Sequence, residues 1–485
     1  MTGALHDFIP PANPWDFVVI GGGTAGLVAG RTAASFGARV LLIESGRLGG
    51  DCLWTGCVPS KSLIAAAHAA STAARSAALG VRVDGEVVDF GAVLSHLHSA
   101  MHTIAPVDSA ESLEHAGIAV LRGSARFLDG RTLIVNGQTI RFRQAMIATG
   151  SRPRNLDVAG ADTLTVLTSD NIWDLTERPD RLVVVGGGPI GCELGQALAR
   201  LGSRVTLVQR SERLVPRESK AAEEILSAAL KRDGVEVRKG SAVKQIESTD
   251  AMSGSLTLDD GTVLNFDRIL VAVGRLADTR SLALENAGVS LDDRGTVIID
   301  DNLRTTNSRI WTAGDVTALP RFTHTAGVNG SIAASNAILG LRRRVDRRVI
   351  PRVTFTEPEI AAVGLQAADA IPSTHRVVTI DHRHLDRAIT EAATSGFTQI
   401  VTDRKGVLLG ATIVGPRAGE SLAEVTLALK HRLTASQVAS TTHPYPTYND
   451  AVWNACLVIV RERLGRGLLR RAIHLLVTIR RARVK

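Results

Sequence analysis

The chain of 485 residues has little cysteine, four in all, and little aromatic content, 4%. So few cysteines exclude the disulfide framework of a small secreted scaffold and point to a reducing compartment and thiol chemistry. The first fourteen residues lack a charged segment followed by an apolar one, so no signal peptide is expected and a cytoplasmic location is. No uninterrupted apolar run is long enough to span a bilayer. Cys52 and Cys57 have no second close cysteine pair to complete a usual zinc site. His98 and His102 share a helix face but lack a third ligand, and read as solvated or half-buried histidines. Excess charge is also missing from the body. The formal +8 is accounted for by residues 461–485, which hold eight Arg, one Lys and one Glu. That tail has no aromatic or base-reading pattern, so no nucleic-acid partner is expected. What remains is ordinary globular composition, 45% hydrophobic and 21% charged, in a length that predicts two to four domains.

Two stretches are rich in glycine at informative positions. The apolar run Asp16 to Ile20 leads into Gly21-Gly22-Gly23-Thr24-Ala25-Gly26, a helical stretch, and the strand Ala38 to Glu44. Gly21 permits the tight turn, Gly23 lets a pyrophosphate approach the backbone, and Gly26 lets helix and strand pack closely. Glu44 stands where a carboxylate accepts hydrogen bonds from ribose hydroxyls. The pattern recurs in Leu182 to Val185, Gly186-Gly187-Gly188-Pro189-Ile190-Gly191, and the strand Arg204 to Gln209. Two fingerprints imply two dinucleotide sites. The second strand ends in Gln209-Arg210-Ser211-Glu212-Arg213, with no acid at the ribose position. A carboxylate there repels a 2′-phosphate, whereas Arg210 and Arg213 can bind one. NADPH is therefore favoured over NADH.

Between the fingerprints lies Gly49-Gly50-Asp51-Cys52-Leu53-Trp54-Thr55-Gly56-Cys57-Val58-Pro59-Ser60-Lys61. Pro59 and Ser60 suit a helix start, and an Ala-rich helix is expected from Lys61 to about Ala78. Cys57 then lies near the positive end of a helix dipole, which lowers a thiol pKa. Cys192 and Cys456 are isolated and read as buried small residues. Three strand-to-turn segments complete the pattern: Arg143 to Gly150, including Thr149; Ile269 to Arg275, including Gly274; and Ile310 to Val316, including Asp315. From Pro351 a strand-rich α/β region without a fingerprint follows. In it, residues 406–415 read as a strand broken by a glycine.

In this order the motifs resemble the class I pyridine nucleotide-disulfide oxidoreductases, and within them the mercuric reductase-like and dihydrolipoamide dehydrogenase-like branch. The resemblance implies an α/β fold with two Rossmann-like dinucleotide-binding domains, for FAD and NAD(P), and a C-terminal α/β dimerisation domain. The expected boundaries are 1–150 and 278–349 for the FAD-binding domain, 151–277 for the NAD(P)-binding domain, 350–465 for the dimer interface and 466–485 for a basic tail. The resemblance further implies a homodimer with an active site shared between subunits, and a redox-active Cys52–Cys57 disulfide. Cys57 touches the flavin, Cys52 meets the acceptor, Lys61 lies near the flavin with Glu193 as its partner, and Asp315 binds the flavin.

The chain departs from the family at its far end. Disulfide-reducing members carry His-Pro-Thr-x-x-Glu, where the His serves the interchange thiol. Here the segment is Tyr445-Pro446-Thr447-Tyr448-Asn449-Asp450, with Tyr445 at the His position and Asp450 at the Glu position. A phenol with a pKa near 10 is a poor base at neutral pH. His443, two residues earlier, is the expected substitute. Mercuric reductases likewise lack this His, but they add a C-terminal cysteine pair that is missing here. The expected activity is electron transfer from NAD(P)H through FAD and the cysteine pair to a metal ion, a small disulfide or a quinone-like acceptor. Dihydrolipoamide dehydrogenase is an alternative, and a flavin-bound redox sensor or membrane-associated adaptor is another of a different class. Leu464, Leu468, Ala472, Leu475 and Ile479 recur at helical spacing among arginines, the pattern of a helix that can lie on anionic lipid.

Overall fold

The fold was analysed in a computed structural model, which describes residues 13–83, 88–465 and 467–483. The described residues divide into two compact units. One takes in residues 13–71, 88–210 and 240–346, and the other 72–83, 211–239 and 347–483 without 466.

The first unit is built around two sheets with parallel cores, to which smaller antiparallel sheets are added. In the first sheet, Trp15–Ile20 pairs in parallel with Val40–Glu44 on one side and Gln138–Ile147 on the other. Ile118–Arg122 extends one edge, and Ile310–Thr312 pairs in parallel with Gln138–Ile147. Phe17 and Val19 enter one core cluster while Val18 and Ile20 enter the other. An unbroken apolar run suits this strand because a parallel sheet is covered on both faces. The helix Thr24–Ser35 lies against the helix Thr323–Leu339, and the contact requires Gly330, where a Cβ would fall 2.4 Å from the Ala25 carbonyl oxygen. Thr323 is the first residue of the second of these helices.

The second sheet pairs Arg181–Val185 in parallel with Arg204–Gln209 and Arg268–Val271. A three-stranded antiparallel layer, Val243–Ser248, Gly254–Leu258 and Val263–Phe266, shares a core with it through Val183, Val185, Leu256, Phe266 and Ile269. The chain passes between the two sheets along Ser151–Pro153 and Arg275–Ala277, which pair antiparallel.

The second unit contains an antiparallel sheet ordered Arg352–Thr354, Glu359–Gly364, Leu408–Gly415, Phe397–Asp403, His375–Asp381. The helices Ala418–Lys430 and Asp450–Leu464 bury Leu422, Val425, Val452 and Ile459 against it. The expected break at the glycine does not occur. The strand Leu408–Gly415 runs through Gly410, whose missing Cβ makes room for the Leu365 carbonyl oxygen at 2.0 Å, and the irregularity is a one-residue register shift beside it. The tail forms the helix Gly467–Arg483 with no buried side chain.

Candidate active site

The cysteine segment follows directly on the first glycine turn because the two touch backbone to backbone. Gly50 adopts φ +57°, and a Cβ there would fall 2.7 Å from Gly23 Cα. The short helix Gly50–Trp54 carries Cys52, and Cys57 is the first residue of the helix Cys57–Arg75. That helix starts four residues earlier than its composition predicts and ends at Arg75, with a 3-10 turn, Ser76–Leu79, after it.

Both cysteines are half-buried free thiols. The Cys57 pKa is brought down to about 6, first by a hydrogen bond from Cys52. Burial opposes this shift, while Thr323 and the Lys61 charge add to it. Donating that bond, together with burial, pushes Cys52 well above the usual thiol range. The reduced pair therefore carries one thiolate near neutral pH, on Cys57. Thr323 Oγ1 lies 3.1 Å from Cys57 Sγ and opens its own 17-residue helix, so two helix N-termini, each favouring negative charge, address one sulfur. Lys61 Nζ lies 2.9 Å from Glu193 Oε2, and the Glu193 side chain is nearly buried. A carboxylate so placed is costly unless paired, and Lys61 pairs it.

The two fingerprints have the geometry of dinucleotide cradles. A Cβ at Gly26 would lie 1.9 Å from the Gly21 carbonyl oxygen, and one at Gly191 lies as close to that of Gly186. Gly23 and Gly188 are extended N-caps with no capping side chain, so the first N–H groups of both helices face outward for phosphate. Glu44 accepts from Gly22 N and Gly46 N, both at 2.5 Å, and Gln209 Oε1 accepts from Gly187 N at 2.7 Å. Glu44 thus braces its loop as well as standing at the ribose position. Thr149 Oγ1 donates to the Asp278 carbonyl, and Gly150 and Gly274 turn at φ +73° and +114° with open space where a Cβ would stand. Asp315 Oδ2 accepts from Ser151 Oγ at 2.9 Å. Asn329 Nδ2 and Thr325 Oγ1, on the helix packed beside the first turn, are buried with no partner among the described residues. These features fit FAD at the first turn and a nicotinamide nucleotide at the second. Arg210 is exposed after its strand, whereas Arg213 donates to the Glu218 carbonyl.

The C-terminal candidates are not brought into one network. His443 has both ring nitrogens engaged, Nε2 with Glu424 at 2.9 Å and Nδ1 with the Thr441 carbonyl at 2.8 Å. Burial lowers its pKa, but these acceptors outweigh it and the net shift is upward. Tyr445 is 72% exposed, and its hydroxyl donates to Asp386 at 2.5 Å. Asp450 is buried and accepts from Thr447 N at 3.0 Å, closing the turn before its own helix. Cys192 and Cys456 are buried, and burial pushes the Cys456 thiol up to about 12. His102 Nδ1 meets the His98 carbonyl, and no group of metal-ligating side chains occurs among the described residues. Sequence reasoning missed Thr323, Glu424 and Asp386. Thr323 lies 266 positions from Cys57, and no local pattern announces such a contact.

Comparison with known proteins follows from this geometry. Residues 15–330 match the family described as pyridine nucleotide-disulphide oxidoreductase, and residues 350–456 match its dimerisation domain. The chain is 34% identical to a mercuric reductase of Bacillus cereus over 453 residues, 92% of this chain and 72% of that protein. It is 35% identical to a dihydrolipoyl dehydrogenase of Geobacillus stearothermophilus over 451 residues, 91% of this chain and 95% of that one. Among solved structures, LpdA from Mycobacterium tuberculosis superposes with a TM-score of 0.84 at 27% identity, covering 92% of this chain and 99% of that chain. The Cu(II) complex of the HOCl-induced flavoprotein disulfide reductase RclA from Escherichia coli superposes with 0.81 at 26% identity, covering 92% and 99%.

Proposed function

The chain belongs to the pyridine nucleotide-disulphide oxidoreductases, a family of FAD- and NAD(P)H-dependent enzymes, and from that premise we propose that its acceptor is a soft metal ion delivered as a thiol complex. In this reading FAD is held by Gly21, Gly23, Gly26, Glu44, Lys61, Thr149, Gly150 and Asp315. The nicotinamide nucleotide is held by Gly186, Gly188, Gly191, Gln209, Arg210 and Gly274, with NADPH favoured because Gln209 is uncharged. The bound flavin supplies two-electron transfer between nicotinamide and disulfide. Two electrons and one proton break the Cys52–Cys57 bond: Cys52 takes the proton, and Cys57 keeps the charge under its donors Cys52 and Thr323. Lys61, fixed by Glu193, holds a positive charge next to that thiolate. The dimerisation domain supports a homodimer, with the site shared between subunits.

The observation that carries the acceptor is the commitment of both basic candidates. His443 has no ring nitrogen to spare, and Tyr445, at the position of the family base, is tied to Asp386. Reducing a disulfide requires a proton for the leaving thiolate. A metal ion accepts electrons without an S–S interchange step, so no positioned acid is needed and the thiolates it releases take their protons from solvent. The names of two similar proteins, a mercuric reductase and a Cu(II) complex, support this class. Cys456 is buried, so its thiol is not placed to take an ion from solution. NADPH oxidation should be measured with Hg(II) or Cu(II) as glutathione complexes, and with lipoamide and glutathione disulfide. The metal complexes should turn over at least about 10-fold faster, since positioned acid–base groups contribute 10²–10⁴ where they act. Faster lipoamide turnover would establish the dihydrolipoamide dehydrogenase reading instead. No turnover with any acceptor would leave the redox-sensor reading.

The tail supports a separate proposal, contact with an anionic lipid surface. Leu468, Ala472, Leu475 and Ile479 line one face of Gly467–Arg483, and Arg470, His474 and Arg481 line another. Leu468 and Leu476 are 80% and 65% exposed, and no acidic residue interrupts the positive charge after Glu462. No helix among the described residues is long and apolar enough to cross a membrane, so the tail would lie in the interface plane. Deleting residues 466–485 should abolish sedimentation with phosphatidylserine vesicles. Equal sedimentation of the deleted and full chains would refute the contact.

A further inference from the structure

The cysteine turn is also held from the side away from the glycines. We propose that Arg275 is a positioning residue that clamps this turn through Asp51 and offsets the Asp51 charge, thereby setting the stability of the Cys57 thiolate. The inference rests on the reading of Cys52 and Cys57 as the redox pair.

Asp51 immediately precedes Cys52 on the short helix Gly50–Trp54, and Arg275 begins the return strand between the two sheets. The Arg275 side chain is only 15% exposed. Its Nη2 reaches Asp51 Oδ2 at 2.5 Å and the Ser151 carbonyl at 2.8 Å. Its Nε donates to Ser151 Oγ, and its Nη1 to Ser169 Oγ at 2.8 Å and Asp170 Oδ1 at 3.1 Å. Only a guanidinium fork can serve so many fixed acceptors, and an ammonium cannot replace it. The far end of the same turn is held as well: Trp173 Nε1 donates to the Thr55 carbonyl at 3.1 Å and the Ser169 carbonyl at 2.7 Å. Segment 169–173 and Arg275 therefore grip the cysteine turn at Asp51 and Thr55. Ser151 Oγ passes the network on to Asp315, the proposed flavin-binding carboxylate.

The charge around Asp51 is unbalanced without this arginine. The Asp51 side chain is about half exposed, and partial desolvation pushes its pKa up; Arg275 pulls it down, Asp170 and Asp315 push it further up, and the Thr55 hydroxyl assists ionisation. Arg275 is thus the cation that offsets the Asp51 charge, and Arg321, which donates to the Asp315 and Arg275 carbonyls, is the next cation beside it. The groups that act on Cys57 itself are Cys52, Thr323 and Lys61. Removing Arg275 leaves uncompensated negative charge one residue from Cys52, which disfavours a nearby thiolate. Removing the Asp51 charge does the opposite. A clamp that only maintained shape would give shifts of one sign, or none.

The test is the pH titration of the long-wavelength thiolate band in two-electron-reduced holoenzyme. Arg275→Gln should raise the Cys57 pKa by about 0.5 unit, Asp51→Asn should lower it by about as much, and the double variant should lie near wild type, a size set by partly screened charges. Arg275→Lys should recover only part of the wild-type value. If Arg275→Gln does not fold, Asp51→Asn alone decides, since its pKa must fall. Shifts of the same sign, or unchanged pKa values with lower melting temperatures, would overturn the electrostatic role. A wild-type enzyme with no such band would instead defeat the redox-pair reading on which the clamp depends.

Discussion

Gly21 and Gly186 turn the chain at φ +108° and +113°, and a Cβ at either would lie 2.3 Å or 2.4 Å from a carbonyl oxygen, that of Ala148 or Ala272. The two turns share backbone and differ in what surrounds it. Gly22 N is held by a carboxylate, Glu44, while Gly187 N is held by a neutral amide, Gln209. Gly23 faces the backbone of Gly50, and so the cysteine segment, whereas nothing lies within 4 Å of a Cβ built on Gly188. One scaffold thus makes a closed site with a carboxylate at its rim and an open site without one. The first suits a cofactor that stays against the thiols. The second suits a nucleotide that must leave, and it tolerates a phosphate where the first would repel one.

The largest effect should come from filling the equivalent glycines. Gly26→Val and Gly191→Val meet the same 1.9 Å obstruction. The first should yield protein without flavin absorbance, and the second a yellow protein whose reduction by NADPH falls about 5- to 150-fold, as overpacking costs some 1–3 kcal/mol. Loss of flavin from both would show that the turns are not independent. Exchanging the acceptors should have the next largest effect. Gln209→Glu should shift kcat/KM from NADPH towards NADH by about 10- to 100-fold, the range expected for a charge meeting a 2′-phosphate near the surface. An unchanged ratio would remove Gln209 from selectivity. The smallest effect belongs to Arg210→Ala, where an exposed contact should raise the NADPH KM about 3- to 5-fold and leave that for NADH alone.

Much of this comparison was legible in the chain. Glycine spacing, the run of strand, turn and helix, and the acid at Glu44 against Gln209 are local signals, because each reflects the backbone within one βαβ unit. The cysteine pair and the Lys61–Glu193 partnership came from family resemblance rather than spacing alone. What stayed hidden was non-local. Thr323 reaches Cys57 because Gly330 lets two helices touch, and Arg275 reaches Asp51 across 224 positions. The C-terminal segment misled for a related reason. His443 and Tyr445 lie two residues apart and suggest one face, yet a third and a fourth element, carrying Glu424 and Asp386, take their polar atoms separately. The start of the cysteine helix at Cys57 was similarly obscured, because composition marks Pro59 and Ser60 but not the residue that first adopts helical geometry.

Cys57 is assigned as the thiolate that faces the closed site. Its role is tested most directly by anaerobic titration of the Cys52→Ser variant, followed by absorbance at long wavelength as pH is varied. The variant leaves Cys57 unpaired, so the thiolate band should be present before any nucleotide is added, and its amplitude should rise with pH through a midpoint above the value of about 6 that holds when the Cys52 thiol donates to Cys57. In Cys57→Ser no band should form at any pH, although NADPH still reduces the flavin. A band that survives in Cys57→Ser and vanishes in Cys52→Ser would contradict the assignment and exchange the roles of the two thiols.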